Sequence, residues 1–182
     1  MNNDNVNDIM RLTYILCFTG ALAGSIITPS YIRIQSMVDP SILSLILIIP
    51  MIIKMAQGQL SRLSHDLSLT LPIYLVIFDI GSVFTILISP IVFIISDTII
   101  CIVSTMLLIN RSNIIIEKIK HLINIRVFQN NMMTYGAIGS IIGFLTSSVL
   151  CNMLQPTTIV LVTGILSSVV YIPYVKINAL VR

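Results

Sequence analysis

Hydrophobic residues fall along this chain in six long, nearly unbroken runs. They do not alternate as in a half-buried strand, nor form the single stripe of a surface helix. The runs cover about 12–32, 41–57, 69–88, 91–109, 132–154 and 157–175. Each is near the length of about 20 residues that a helix needs to cross a bilayer. An open sheet in lipid would leave backbone groups unpaired, and a barrel strand needs an alternation that Ile-Leu runs lack. The pattern therefore predicts six transmembrane helices. Pro40, Pro72, Pro90 and Pro156 stand at the starts of runs. A proline in the first turn of a helix gives up no bond the helix would have made. Ser89-Pro90 divides the third run from the fourth.

Composition strengthens this reading. Of the 182 residues 56% are hydrophobic and 9% charged, with a mean hydropathy of +1.02. A soluble domain carries about 25% charged residues. So few charges could not cover a soluble globule, but a bilayer removes that need. No long polar stretch offers a linker, so residues 1–182 are expected to form a single membrane domain. The net charge of +3 gives no basic field able to grip nucleic acid.

The positions of the charges set an orientation. Arg11 precedes span one and Arg33 follows it. Lys54 and Arg62 flank the end of span two. Arg111, Lys118, Lys120 and Arg126 lie between spans four and five, and Lys176 and Arg182 end the chain. With six spans, all ten but Arg33 fall on one side, which predicts that both termini face the cytoplasm. Merging spans three and four would place the large basic loop opposite Arg62. Ala21-Leu22-Ala23 resembles a signal cleavage site, yet the leader holds Asp4 and Asp8 and a single basic residue, Arg11. The first run is therefore expected to be a retained span. The connection 110–131 carries Ile115, Ile119, Leu122 and Ile123 at near-helical spacing, which predicts an amphipathic helix at the cytoplasmic interface.

Candidate chemistry is sparse. Asp79 stands about ten residues into span three, roughly 14 Å deep and near the midplane. A carboxylate there is costly and usually faces the bundle interior or a water-filled cavity. It can bind a proton or a cationic substrate, or be a protonated carboxyl bonded to a nearby Ser, Thr or Tyr. Asp97 lies a third of the way into span four and is expected at an outer vestibule near Arg33 or Asp39, or wetted at a thinned membrane. Lys54 is near enough to the end of span two to snorkel to the interface. Cys17, Cys101 and Cys151 form no CxxC pair and are expected to be packing residues. His65 and His121 fall in loops. No P-loop, GxSxG, HExxH or dinucleotide turn occurs, so neither an enzyme nor a metal or other cofactor is expected.

Gly20 and Gly24 form a GxxxG in span one. Gly139 and Gly143, preceded by Gly136, form another in span five. Small residues at this spacing let helix backbones approach closely. Pro29, Pro50 and Pro173 lie inside spans, where they can kink a helix.

The six-span layout, with a basic loop after span two and a longer one after span four, resembles one half of a major facilitator superfamily transporter. Gly58-Gln59-Leu60-Ser61-Arg62 is similar to the start of that family's loop motif. Gly136-Ala-Ile-Gly139-Ser-Ile-Ile-Gly143 is similar to the glycine pattern of its exporters. Arg62 stands where the family has an aspartate, and the exporter proline is missing after Gly139. The resemblance implies a half-size secondary transporter of the cytoplasmic membrane. The family's substrate site lies between two halves, so it also implies a parallel homodimer or a second membrane subunit, with Asp79 near the central cavity. Two other readings fit the same sequence. One is a non-transporting binding protein, such as a bacteriocin immunity or exclusion factor. The other is a substrate-binding subunit of a vitamin uptake system.

Overall fold

The computed structural model describes residues 3–46, 48, 49, 52 and 71–180. Among them every regular element is a helix. We number these α1 (Asn3–Gln35), α2 (Pro40–Ile46), α3 (Leu71–Phe84), α4 (Pro90–Ile119), α5 (Ile125–Met153), α6 (Pro156–Ser167) and α7 (Tyr171–Leu180). Short 3-10 turns follow α3 at Thr85–Leu87 and join α6 to α7 at Ser168–Val170. Three segments, Asn5–Gln35, Ile125–Met153 and Pro156–Ile177, are long and apolar enough to cross a membrane. Ile73–Leu87 and Pro90–Ile100 are shorter apolar helices. The chain is thus an all-α protein with the helices of a membrane protein.

Helix starts follow local chemistry. Asp39 precedes Pro40, and its Oδ1 accepts the backbone N–H of Ser41 at 2.7 Å. Hydrogen bonds from the Ser41 N–H, then the Ser41 side chain and the Ile42 N–H, hold the exposed Asp39 carboxyl below the usual carboxylate range. Ser89 caps α4 by accepting from Ile91 N at 3.3 Å, with Pro90 in the first position. Asn124 caps α5 by accepting from Val127 N at 3.3 Å. Pro156 opens α6 in the same way as Pro90 opens α4.

The connection expected over 110–131 has a different form. Helix α4 continues to Ile119, a short turn follows, and α5 begins at Ile125. No Pro or Gly occurs between Ile91 and Tyr135. Nothing in the chain breaks the helices where they leave the apolar stretch, so no separate interfacial helix forms. Span two is described only in part, as α2 with Ile48, Ile49 and Ile52. Lys54, His65, Pro50 and the segment Gly58 to Arg62 lie outside the described residues.

Helix α1 is the central post. It packs along α5 and also against α6 and α7, while α3 packs on α4 and α6. Apolar clusters form towards each end of α1. One gathers Ile34, Val38, Val83, Phe93, Ile94 and Val160. The other joins Ile9, Ile119 and Ile177. At the α1–α5 crossing a Cβ on Gly139 would collide with the Phe18 carbonyl oxygen. One on Gly143 would stand 2.6 Å from the Leu22 carbonyl oxygen and 2.7 Å from Ser25 Cβ. The α1 positions in this seam are therefore 18, 22 and 25, one helical face. Gly24, expected at a helix contact, is exposed, and a Cβ there would meet nothing within 4 Å. It lies one residue, or about 100°, round the helix from Ser25. Gly20 and Gly136 are half-buried, and a Cβ on Gly136 also meets nothing within 4 Å.

Polar side chains in the seam bond to backbone or to one another. Ser147, fully buried, donates to the Ile26 carbonyl oxygen at 2.9 Å, close to Pro29. Cys151 lies 3.7 Å from Ser147 Oγ and 3.8 Å from Ser30 Oγ. Cys17 and Cys151 are both unpaired thiols. A third close approach joins α6 to α3, where a Cβ on Gly164 would collide with Val83 Cγ2.

Candidate functional site

Helices α3 and α4 form a tight antiparallel hairpin, and its length decides where two carboxylates fall. Asp79 lies ten residues before Ser89 and Asp97 lies eight after it. Both therefore stand at about the same height, roughly 12–15 Å from the turn at 1.5 Å per residue. The hairpin is pinned near its closed end by Thr85 Oγ1 and Ser96 Oγ, 2.8 Å apart. Thr85 also donates to the Ser82 carbonyl oxygen at 2.5 Å, and buried Ser82 to the Asp79 carbonyl oxygen at 2.8 Å. These hydroxyls give α3 a polar edge that faces α4.

The two carboxylates are half-buried and close enough for the charge of one to be felt at the other. Each is also held by a hydroxyl from another helix. Ser167, the last residue of α6, lies 3.1 Å from Asp79 Oδ2. Its hydroxyl also lies 2.6 Å from the Gly164 carbonyl oxygen, so two acceptors compete for one proton. Tyr31 of α1 bonds the Asp97 carboxyl through its hydroxyl, which also lies 3.5 Å from Thr98 Oγ1. The Tyr31 ring rests edge-on against Phe93, with centroids 5.6 Å apart. Four helices thus meet around the carboxylate pair.

A break in span six positions Ser167. Pro173 cannot donate to the carbonyl of residue 169 and crowds it. The 3-10 turn Ser168–Val170 lies at that point, ending α6 at Ser167. Among the described residues no lysine or arginine lies within 4 Å of either carboxylate. An ion pair between Glu117 and Lys120, at 3.6 Å, lies on the surface.

The two aspartates, expected at different depths, stand at about the same height on two packed helices. Asp97 has Asp79 and Tyr31 as its neighbours, and the adjoining Thr98 lines a groove with Gln35 and Pro40. Ser167 and Tyr31 were not singled out in the sequence, where each reads as one more polar residue in an apolar run. His121 is exposed in the turn after α4. Among the described residues no group of three His, Cys, Asp or Glu side chains is placed to hold a metal ion.

No family model matches the chain, and neither a curated protein nor a solved structure is detectably similar to it.

Proposed function

We propose that this chain is a half-size, secondary-transporter-like protein of the cytoplasmic membrane in which Asp79 and Asp97 bind a proton or a cationic substrate as one unit. The observation that supports it is the carboxylate pair at mid-height of the α3–α4 hairpin, with hydroxyl partners and no basic partner among the described residues. A permanent structural ion pair would have placed a lysine or arginine there. A pair of acids instead takes up a positive charge from outside the chain. Ser167 suits such a role. Facing an ionised Asp79 its hydroxyl donates to the carboxylate; facing a protonated Asp79 it can accept and donate instead to Gly164. The change of charge is thereby passed to the break between α6 and α7. Alternating exposure of the pair would then use movement of α6–α7 against α3–α4.

In the same reading the bundle has six spans with both termini in the cytoplasm and works as a parallel homodimer, like one half of a major facilitator transporter repeated by symmetry. Cysteine labelling tests the topology: Asn152 should be reached from outside and Lys118 from inside. Asn152 stands near the end of α5 and Lys118 near the end of α4, just before α5 begins; the 29 residues of α5 extend roughly 43 Å.

Proteoliposomes containing a pH dye test the function. A panel of organic cations added outside should produce a lumenal pH change with the wild type. Asp79→Asn should insert and fold, as judged by helical circular dichroism and a monodisperse elution profile, yet give no signal. A folded Asp79→Asn protein with the wild-type signal overturns the proposal. Wild-type protein that responds to no cation favours the binding-protein reading, in which the bundle recognises a toxin or intruder by helix contacts.

A further inference from the structure

Two open grooves flank the end of α1 that carries Arg11. The first, of about 420 Å³, lies between α1 and α5 and is bordered by Arg11, Tyr14, Phe18 and Ile138. The second, of about 650 Å³, lies between α1 and α7 and is bordered by Arg11, Leu12, Lys176 and Leu180. Arg11 and Ile15 border both. Arg11, Ile15 and Phe18 share one helical face, so the first groove descends roughly 10 Å along α1 from the guanidinium. Its walls are almost wholly apolar, and charge is confined to the rim.

We propose that the two grooves hold the acyl chains of one anionic phospholipid, with its phosphate between Arg11 and Lys176. The argument is charge complementarity above a paired apolar slot. Neither basic residue has a carboxylate within 4 Å among the described residues. Asp8 also borders the second groove, three residues before Arg11, and leaves the rim with a net charge of +1 (Arg11 and Lys176 against Asp8). The height suits a headgroup. Tyr14 stacks on Tyr135 with centroids 5.2 Å apart, and its hydroxyl accepts from Asn131 Nδ2 at 3.4 Å. Tyrosines with an apolar body and a bonded polar tip mark the membrane–water boundary. Basic pockets between helices at that boundary select anionic headgroups. The lipid would wedge α1 between α5 and α7. This inference depends on the chain lying in a membrane and not on the aspartate pair.

Native mass spectrometry of the full-length protein in detergent, titrated with phosphatidylglycerol or phosphatidylcholine, tests it. Phosphatidylglycerol should bind more tightly. The double variant Arg11→Gln, Lys176→Gln should lose about fivefold in affinity per residue, the equivalent of about 1 kcal/mol for each basic contact. Lys120→Gln with Arg126→Gln removes the same charge elsewhere and should leave affinity unchanged. Ile138→Trp, which fills the first groove and keeps the rim charges, should weaken phosphatidylglycerol binding. Equal loss in the two double variants, or equal binding of the two lipids, overturns the proposal. So does competition by soluble glycerol phosphate at the same concentrations as the lipid, which would make the rim an anion site.

Discussion

The α1–α5 seam and the α3–α4 hairpin both bring helices close together, by opposite means. In the seam, Gly139 and Gly143 remove side chains so that backbones touch, and the buried Ser147 hydroxyl is spent on a backbone carbonyl. Among the described residues no charged side chain is buried in the seam. In the hairpin, Thr85 and Ser96 bond across the gap and two carboxylates stand at one height behind them. Lipid supplies no hydrophobic drive between helices, so close packing and hydrogen bonds must hold each pair together. The seam uses both for cohesion. The hairpin retains two carboxylates that weaken cohesion, and the proposed function rests on them.

Substitutions can break this contrast. The largest effect is expected from Gly139→Val or Gly143→Val, because the new Cβ would meet a backbone carbonyl that cannot move aside. A loss of about 3 kcal/mol, the upper end of ordinary overpacking, is expected in thermal or denaturant unfolding in detergent. Gly24→Val, in the same motif spacing but with nothing within 4 Å, should stay within about 0.5 kcal/mol of wild type. Comparable losses at Gly24 and Gly139 would refute the face assigned to the seam.

Gly164→Ala should have an intermediate effect, about 1–2 kcal/mol, since the obstacle is the Val83 side chain rather than backbone. Adding Val83→Ala should recover part of that loss, and a double-mutant cycle measures the coupling. Simple additivity would show that the two helices do not cross there. Ser147→Ala should cost less, about 0.6 kcal/mol, the usual worth of an interhelical hydrogen bond in a membrane.

The smallest effect concerns Asp39. Its carboxyl is held below its ordinary range by the Ser41 N–H, so its contribution to the start of α2 is present above the unfolded value. It is lost as pH falls through the folded one. The Ser41 amide resonance should titrate with Asp39 and lose that response in Asp39→Ala. A pH-independent Ser41 amide in the wild type would remove the cap from the account of α2.

Much of the fold could be read from residue order. The prolines at 40, 90 and 156 mark helix starts because their missing N–H groups are harmless there, and Asp79 stands out because carboxylates are costly at that depth. Counting outwards from Ser89 in both directions would also have placed Asp97 opposite Asp79. Depth counted within each span separately hides that pairing. The seam was only half legible. A GxxxG spacing shows that a helix has a small-residue face but not which face its neighbour uses, and α1 uses 18, 22 and 25 instead of 20 and 24. The role of Ser167 was not legible, since it depends on the interruption at Ser168–Val170 and on α6 crossing α3 at Gly164.

That Asp79 and Asp97 act as one ion-binding unit is tested most directly by infrared titration of the reconstituted protein, following carboxyl bands in the wild type, Asp79→Asn and Asp97→Asn. Coupled groups share their titration steps. Each single substitution should therefore displace the titration of the aspartate that remains, and the wild-type band should respond to a bound cation. Two carboxyl bands that titrate independently, each unchanged when the other aspartate is replaced, would contradict the pair and with it the proposed site.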